Sequence, residues 1–375
     1  TVVVYSRIIV VACLSVSTAC GLFAEEEETF DPRIRPGMFI DVDGGDVGPS
    51  RTWSPVDGGD SLQPADASAD GSAASDGLHT GVDSTSGDTL IGPVDVADGS
   101  QETPCLSYGP PEAMGAMPPT VTEASGIVVS ASQDSIVWVH NDSGDQPKLY
   151  AIESGGARVA TVTLGGTSAY DWEDMASGPC APEDGTRGCL YVGDVGDNNR
   201  VREDVVIYRL VEPDVSLGDH TLDPEHYETM RVVYPDEAHD CEALVVDGSA
   251  NVYLLTKEWG EGVFRLYGTV FTGGVEGVPL QFLSEHQVSD VGGNLPLVTA
   301  ASFSQVRNRL LVRTYSSAFE YQLAPEASLS QLTWATVKTV PVANEGQGEA
   351  IAYGEDGYWH VSEGKEPPIW RILCQ

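Results

Sequence analysis

Basic side chains are scarce in this sequence: 19 Lys and Arg stand against 57 Asp and Glu, for a formal charge of -38. A protein that binds nucleic acid or anionic lipid needs a basic face, so a general affinity for either is excluded and cations are the natural partners. Also lacking are paired His or Cys ligands at zinc spacings, a phosphate-cradling glycine loop, a nucleophile elbow and the helical motif of zinc proteases. Aromatic residues are few in the first quarter, which therefore contributes little core. The uncharged run from Ile8 to Ala19 is too short to cross a bilayer comfortably.

What is present falls into three segments. Arg7 followed by that uncharged run and small residues reads as an export signal over residues 1–20. Its end, Ser17-Thr18-Ala19-Cys20, resembles a bacterial lipobox, with Ser17 where leucine is usual. The resemblance implies lipidation of Cys20, membrane attachment through that anchor alone, and display at the outer membrane, the cell surface or in the periplasm. Residues 21–104 are dense in Asp, Gly, Ser and Pro. They bury too little apolar surface to offset the entropy of ordering them, which predicts a disordered acidic tether. Residues 105–375 remain as one globular domain.

The cysteines of that domain fit an oxidising compartment. Cys180 and Cys189 flank a short loop and read as a disulfide-closed hairpin, while Cys105 and Cys374 sit at the two ends. Cys241 is left over at the start of an apolar strand and reads as a buried thiol rather than a nucleophile.

A short phrase recurs through the domain at a spacing of roughly 45 to 70 residues, the mark of a radial or solenoid architecture. It is an acidic or polar residue, a small residue and an apolar strand. The copies are Glu123 to Ile127, Asp171 to Ala176, Asp240 to Leu244, Thr299 to Phe303 and Gly348 to Ala352. Each is followed by two further apolar or alternating runs, and four copies carry a fourth, near Val159 to Leu164, Thr229 to Tyr234, Leu280 to Leu283 and Trp334 to Val340. Short β-rich runs separated by turn residues make antiparallel meanders. The fifth copy lacks its fourth run, so residues around Cys105 to Tyr108 are expected to supply it. The fold class is therefore all-β, a propeller of five four-stranded blades closed by an N-terminal strand that brings Cys105 beside Cys374.

The Glu-Ala-Leu/Ile phrases, Val139-His140-Asn141-Asp142-Ser143-Gly144, Tyr191 to Asn198 and Gly346 to Ala352 together resemble exported bacterial propellers. Families of that kind include phytase-like esterase domains and gluconolactonase-type propellers. The resemblance covers the domain and implies a binding or hydrolytic propeller, without naming a reaction.

The start of each inner strand and the end of the antiparallel second strand share one face. The starts carry Glu123, Asp171, Glu173, Asp240, Glu242, Ser302 and Glu349; the ends carry Asn141, Asp142, Asp194, Lys257, Glu258, Arg313, Tyr315 and Glu363. All are expected around one mouth of the central channel. Two carboxylates about 5 Å apart repel by roughly 3 kcal/mol at an effective dielectric of 20, so such a ring needs relief. A hard, oxygen-seeking cation such as Ca²⁺ suits it better than Mg²⁺ or Zn²⁺. The expected metal ligands are Asp171, Glu173, Asp194, Glu242 and Glu349, with Asn141, Asp142, Lys257, Glu258, Arg313, Tyr315 and Glu363 contacting a ligand. Ser302 in the fourth copy leaves the ring lopsided, strongest on blades two, three and five.

Two functions fit. One is a module binding a small molecule or a cell-surface partner. The other is a Ca²⁺-dependent hydrolase of a phosphate ester, carboxylic ester or lactone, with Glu173, Glu242 or His239 as catalytic candidates. Fold alone does not separate them.

Overall fold

The computed structural model describes residues 105–180, 188–288 and 296–375. The expected export signal, Cys20 and the tether lie outside the described residues, as does the tip of the loop between Cys180 and Cys189. Among the described residues, helix is confined to three short 3-10 segments and everything else regular is strand.

The strands form five sheets. Strand β1 (Glu112–Ala116) comes first in the chain but belongs to the last sheet. Blade one is β2 (Ala124–Val129), β3 (Ile136–Asn141), β4 (Lys148–Glu153) and β5 (Arg158–Leu164). Blade two begins with β6 (Trp172–Gly178), β7 (Cys189–Asp194) and β8 (Val205–Val211); β9 (His220–Leu222) then departs to another sheet, and β10 (Tyr227–Val233) completes the blade. Blade three repeats this plan with β11 (Cys241–Val246), β12 (Asn251–Thr256), β13 (Val263–Val270), the departing β14 (Val275–Pro279) and β15 (Gln281–Gln287). Blade four is β16 (Val298–Ser304), β17 (Arg309–Thr314), β18 (Ala318–Gln322) and β19 (Thr336–Val340). Blade five is β20 (Gly348–Gly354), β21 (Gly357–Ser362), β22 (Pro368–Leu373) and finally β1.

The first strand of each blade lies innermost. β2, β6, β11, β16 and β20 each contact the next, and β20 returns to β2, so the ring is closed. The sequence placed the closing strand around Cys105 to Tyr108, and this is corrected: β1 pairs antiparallel with β22. Pro110 and Pro111 lack the amide donors a ladder requires, so continuous pairing starts only beyond them. Tyr108 keeps an isolated bridge to Cys374, and the Cys105–Cys374 disulfide fastens both ends of the domain. Cys180 and Cys189 form the second disulfide, and Cys241 is a free, buried thiol.

β9 and β14 were not foreseen. β9 pairs parallel with β5, and β14 parallel with β10. Each is an excursion of the following blade that covers the outer edge of the preceding one, removing an open edge where another chain would pair.

The core consists of five apolar clusters, one at each interface between neighbouring blades. Successive side chains of a strand point to opposite faces, and here both faces are buried. Leu244 therefore packs toward blade two while Ala243 and Val245 pack toward blade four. This accounts for inner strands that read as unbroken apolar runs instead of alternating with polar residues.

Candidate functional site

All five inner strands carry the same irregularity. The ladder with the second strand slips after the first residue, leaving one residue unpaired in a bulge. The unpaired residues are Ser125, Glu173, Glu242, Thr299 and Glu349, and they re-aim their side chains into the channel mouth. Ser125 Oγ lies 3.5 Å from Glu173 Oε2, and Glu242 raises the pKa of both Glu173 and Glu349. Thr299, not Ser302, therefore occupies the acid's place in blade four, where its Oγ1 donates to Gly348 O at 2.7 Å. Ser302 lies further along β16 and accepts from the Tyr353 amide at 3.0 Å. The small residue after each bulge, Gly126, Ala243, Ala300 or Ala350, would have revealed this alignment.

Blade two has Asp174 at that small-residue position. Its carboxylate accepts the amides of Met175, Leu244 and Ala301 at 2.8, 3.0 and 3.2 Å, tying the inner strands of three blades together. The channel-facing edge of an inner strand has no ladder partner, and Asp174 satisfies amides that would otherwise be buried unpaired. Burial nevertheless pushes its pKa well up.

Above this plug, Asp142, Asp171 and Glu173 place carboxylate oxygens within 4.8 Å of one another. Asp240 lies outside that group but near enough for its charge to raise Asp142, Asp171 and Glu242. Its Oδ1 accepts the Asp197 amide at 3.0 Å, but Oδ2 is fully buried with no hydrogen-bond partner. Burial, with Asp142 and Asp240, raises Asp171 to about 6. Burial, then Glu242 and Asp142, pushes Glu173 well above the usual carboxylate range. Asp142 is likewise raised by burial.

The other side of the mouth centres on Lys257. Its Nζ donates to Glu242 Oε1 at 2.9 Å and lies 5.3 Å from the Tyr315 ring and 5.7 Å from that of Trp259. Lys257 stays protonated because Glu242 and Tyr315 outweigh its burial. Glu242 still rises to about 8, since burial and Asp240 exceed the pull of Lys257. Glu349, buried near Glu242, rises to about 9. Glu363 is raised by burial and Asp142, and accepts from Gln347 Nε2 at 2.9 Å.

Several expected residues are placed elsewhere or already engaged. Asn141 accepts the amides of Thr122 and Glu123 and donates to Thr120 O and Asp145, which fixes the chain entering β2. Asp194 accepts the amides of Tyr170 and Asp171 and pairs with Arg202 at 2.9 Å. Arg313 packs against Gly348 between blades four and five and pairs with Glu345, which also binds His360 Nδ1. Glu258 receives His239, Thr256, Arg200 and Arg265, so His239 serves to hold it. The exposed trio Asp223, Glu225 and His226 also clusters, on the outer side of the ring.

Gly196 admits the two key carboxylates. A Cβ there would collide with Glu173 Oε1 and Asp171 Oδ2.

No family model matches the chain, and no curated protein shows significant similarity to it. Among solved structures, one described as a nidogen/laminin complex aligns at 12% identity and TM-score 0.35, covering 64% of this chain and 73% of that one. A putative gluconolactonase aligns at 11% identity and TM-score 0.38, covering 72% and 94%. Likeness at this level carries nothing about function, and the propeller assignment rests on the strand pairing above.

Proposed function

We propose that the domain is a ligand-binding module whose channel mouth holds a hard divalent cation, Ca²⁺, on Asp142, Asp171 and Glu173. The supporting observation is a contrast: three convergent carboxylates lie together with no basic side chain bonded to them among the described residues, and a nearby Asp240 oxygen is buried without a donor among those residues. Buried polar atoms are nearly always partnered, so this oxygen fits a bound ion or a water that the ion holds. Oxygen-only donors at mixed burial suit calcium's flexible coordination. In keeping with the export signal and lipobox-like Cys20, we place the module outside the cytoplasm on a lipid anchor, with the acidic tether as spacer. Calorimetric titration of the full chain with CaCl₂ tests the reading: saturable binding lost in Asp171→Asn supports it, and no heat from the unsubstituted protein removes it.

A hydrolytic reading has one observation in its favour. Glu349, pushed up to about 9 by burial and then Glu242, keeps its proton at neutral pH at the same mouth, as a general acid must. A bound cation would supply polarisation of an ester, lactone or phosphoryl oxygen. Glu349→Gln would then abolish turnover of a model ester such as p-nitrophenyl acetate or phosphate; absence of turnover in the unsubstituted protein leaves the binding role alone.

A further inference from the structure

The outer edge of a blade is shielded by the blade that follows it around the ring, with one exception. β9, which lies between the third and fourth strands of blade two, runs parallel to β5, and β14 of blade three does the same for β10. In blade four the corresponding segment is the 3-10 turn Leu329–Trp334, which packs against β15 and buries Leu329 and Leu332 in the cluster that Leu283 joins. β1 of blade five is abutted by the turn between β4 and β5, so closely that a Cβ on Gly115 would collide with Gly155 O. Blade five has no such segment to offer, because its third and fourth strands, β22 and β1, come from opposite ends of the domain. β19 of blade four is left open: among the described residues it pairs only with β18, and Thr336, Val337, Lys338 and Thr339 are exposed. An open edge turns every second amide and carbonyl to solvent.

The two faces of this edge differ, since successive side chains of a strand alternate sides. Val337 and Thr339 stand opposite Tyr321 and Phe319, and with His286 and Val288 of blade three they line a cleft of about 390 Å³. Its wall is aromatic: His286 stacks on Phe264 at 5.0 Å, and Tyr321 meets both rings edge-on at 6.1 Å. Lys338 stands opposite Glu320 on the other face. Glu320 answers both Lys338 and Arg309, at 2.8 and 3.2 Å, so among the described residues this group carries one surplus positive charge in a chain of -38. A second copy fits poorly, because antiparallel pairing of two β19 strands about their centre sets Lys338 against Lys338 and the net charges repel. An extended peptide answers all three features, with backbone for the open edge, an apolar side chain for the cleft and a carboxylate for Lys338. We propose that β19 is a docking edge for an extended segment of a partner protein in which apolar and acidic residues alternate. The segment adds a fifth strand to blade four, setting its apolar side chains in the cleft beside Tyr321 and its carboxylates along Lys338. This edge lies on the outside of the ring and owes nothing to the cation reading of the mouth.

The test is fluorescence anisotropy of the labelled, end-capped heptapeptide Ser-Asp-Leu-Asp-Leu-Asp-Ser titrated with the full chain. Ser-Asp-Asp-Leu-Leu-Asp-Ser, which breaks the alternation, and Ser-Lys-Leu-Lys-Leu-Lys-Ser, which reverses the charge, are the controls. The expected result is saturable binding of the first peptide, about tenfold tighter than either control, with slowed amide hydrogen exchange along Thr336–Val340. Lys338→Gln and Val337→Asp are each expected to weaken it several-fold, while Leu217→Asp, on blade two, leaves it unchanged. All three replace exposed side chains, and thermal melts confirm that they fold; if Val337→Asp melts early, Lys338→Gln carries the comparison. No saturable binding, equal affinity for the three peptides, or unchanged affinity in Lys338→Gln overturns the proposal. Binding without slowed exchange along β19 overturns it too, by putting the peptide elsewhere. Dimerisation in sedimentation that Val337→Asp abolishes would give the edge to a second copy instead of a partner. Peptide binding that appears only in the double variant Asp95→Lys, Asp98→Lys would give it to an acidic run of this same chain.

Discussion

Glu258 and Glu173 are both buried glutamates at the mouth end of neighbouring blades, yet their surroundings are opposite. Glu258 accepts from His239 Nδ1 at 3.0 Å and Thr256 Oγ1 at 2.8 Å, and pairs with Arg200 at 2.7 Å and Arg265 at 2.8 Å. Despite burial, these partners hold its pKa down to about 2. Glu173 has acids around it instead, and its pKa is pushed far up by burial, Glu242, Asp142 and Asp171. A carboxylate given its full set of donors is an anchor for the fold. One that the fold leaves among other carboxylates is a place for something from solution.

The largest effects expected are those that break the anchor. Glu258→Gln strands Arg200, Arg265 and His239 around a neutral amide, and loss of one member of a buried ion pair costs about 3–5 kcal/mol. Glu173→Gln removes repulsion and should leave the calcium-free protein as stable as before or slightly more so. Urea unfolding of the two variants in chelator checks this, and equal destabilisation would erase the distinction.

Calcium should act on the other side of the comparison. At 100 times its dissociation constant, a ligand specific for the folded state adds about 2.7 kcal/mol. The thermal midpoint of the full chain should rise accordingly with CaCl₂, and the rise should vanish in Asp171→Asn. It should survive Glu225→Gln, which disturbs the exposed trio on the outer side of the ring.

How far the sequence foretells this contrast depends on the residue. The five-fold phrase, the antiparallel meanders and both disulfides of the domain are legible because each expresses a local pattern: apolar runs, turn residues and cysteine positions. The bulge is not a local composition. Alignment by acids and small residues put Ser302 where Thr299 belongs, because one unpaired residue shifts which side chain enters the mouth without changing the apolar run that follows. Asp142 was legible, since the end of a second strand meets the start of the inner one, and it lies with Asp171 and Glu173 in one carboxylate group. Donor saturation is the least legible of all. Nothing near Glu258 in the chain announces Arg200 or His239, which arrive from other elements. Pro110 and Pro111 did carry a readable signal, marking where the closing strand has to begin.

Acidity offers a milder way to sharpen the contrast. Asp171, Glu242 and Glu349 have folded pKa values of about 6, 8 and 9, all above their unfolded values. The unfolded chain therefore releases these protons first, and calcium-free stability should fall as pH rises from about 5 toward 8. Below about pH 4.5 the slope should reverse, because Glu258, with its pKa near 2, loses its partners only as it protonates. Saturating calcium should flatten the upper limb by neutralising the mouth in place of protons. Thermal melts across this range, with and without calcium, measure both limbs; a calcium-free limb that rises between pH 5 and 8 would contradict the assignment.

The finest cut separates the two regions by a single methyl group. Gly196 lies in the turn after β7, its amide 3.2 Å from Asp171 O and its carbonyl accepting from Arg202. Its φ is not positive, so alanine suits the backbone and the substitution carries no strain of its own. The nearest atoms to the new Cβ would be the carboxyl groups of Glu173 and Asp171, side-chain ends able to turn aside. Gly196→Ala should therefore leave thermal stability in chelator nearly unchanged, since Glu258 and its donors lie elsewhere. It should weaken calcium binding by about tenfold, or about 1.4 kcal/mol, because two of the three convergent carboxylates can no longer hold their positions. Calorimetry reads the affinity and a melt in chelator reads the fold. Unfolding in Gly196→Ala would mean the turn itself, rather than the space it leaves for carboxylates, is what the glycine serves.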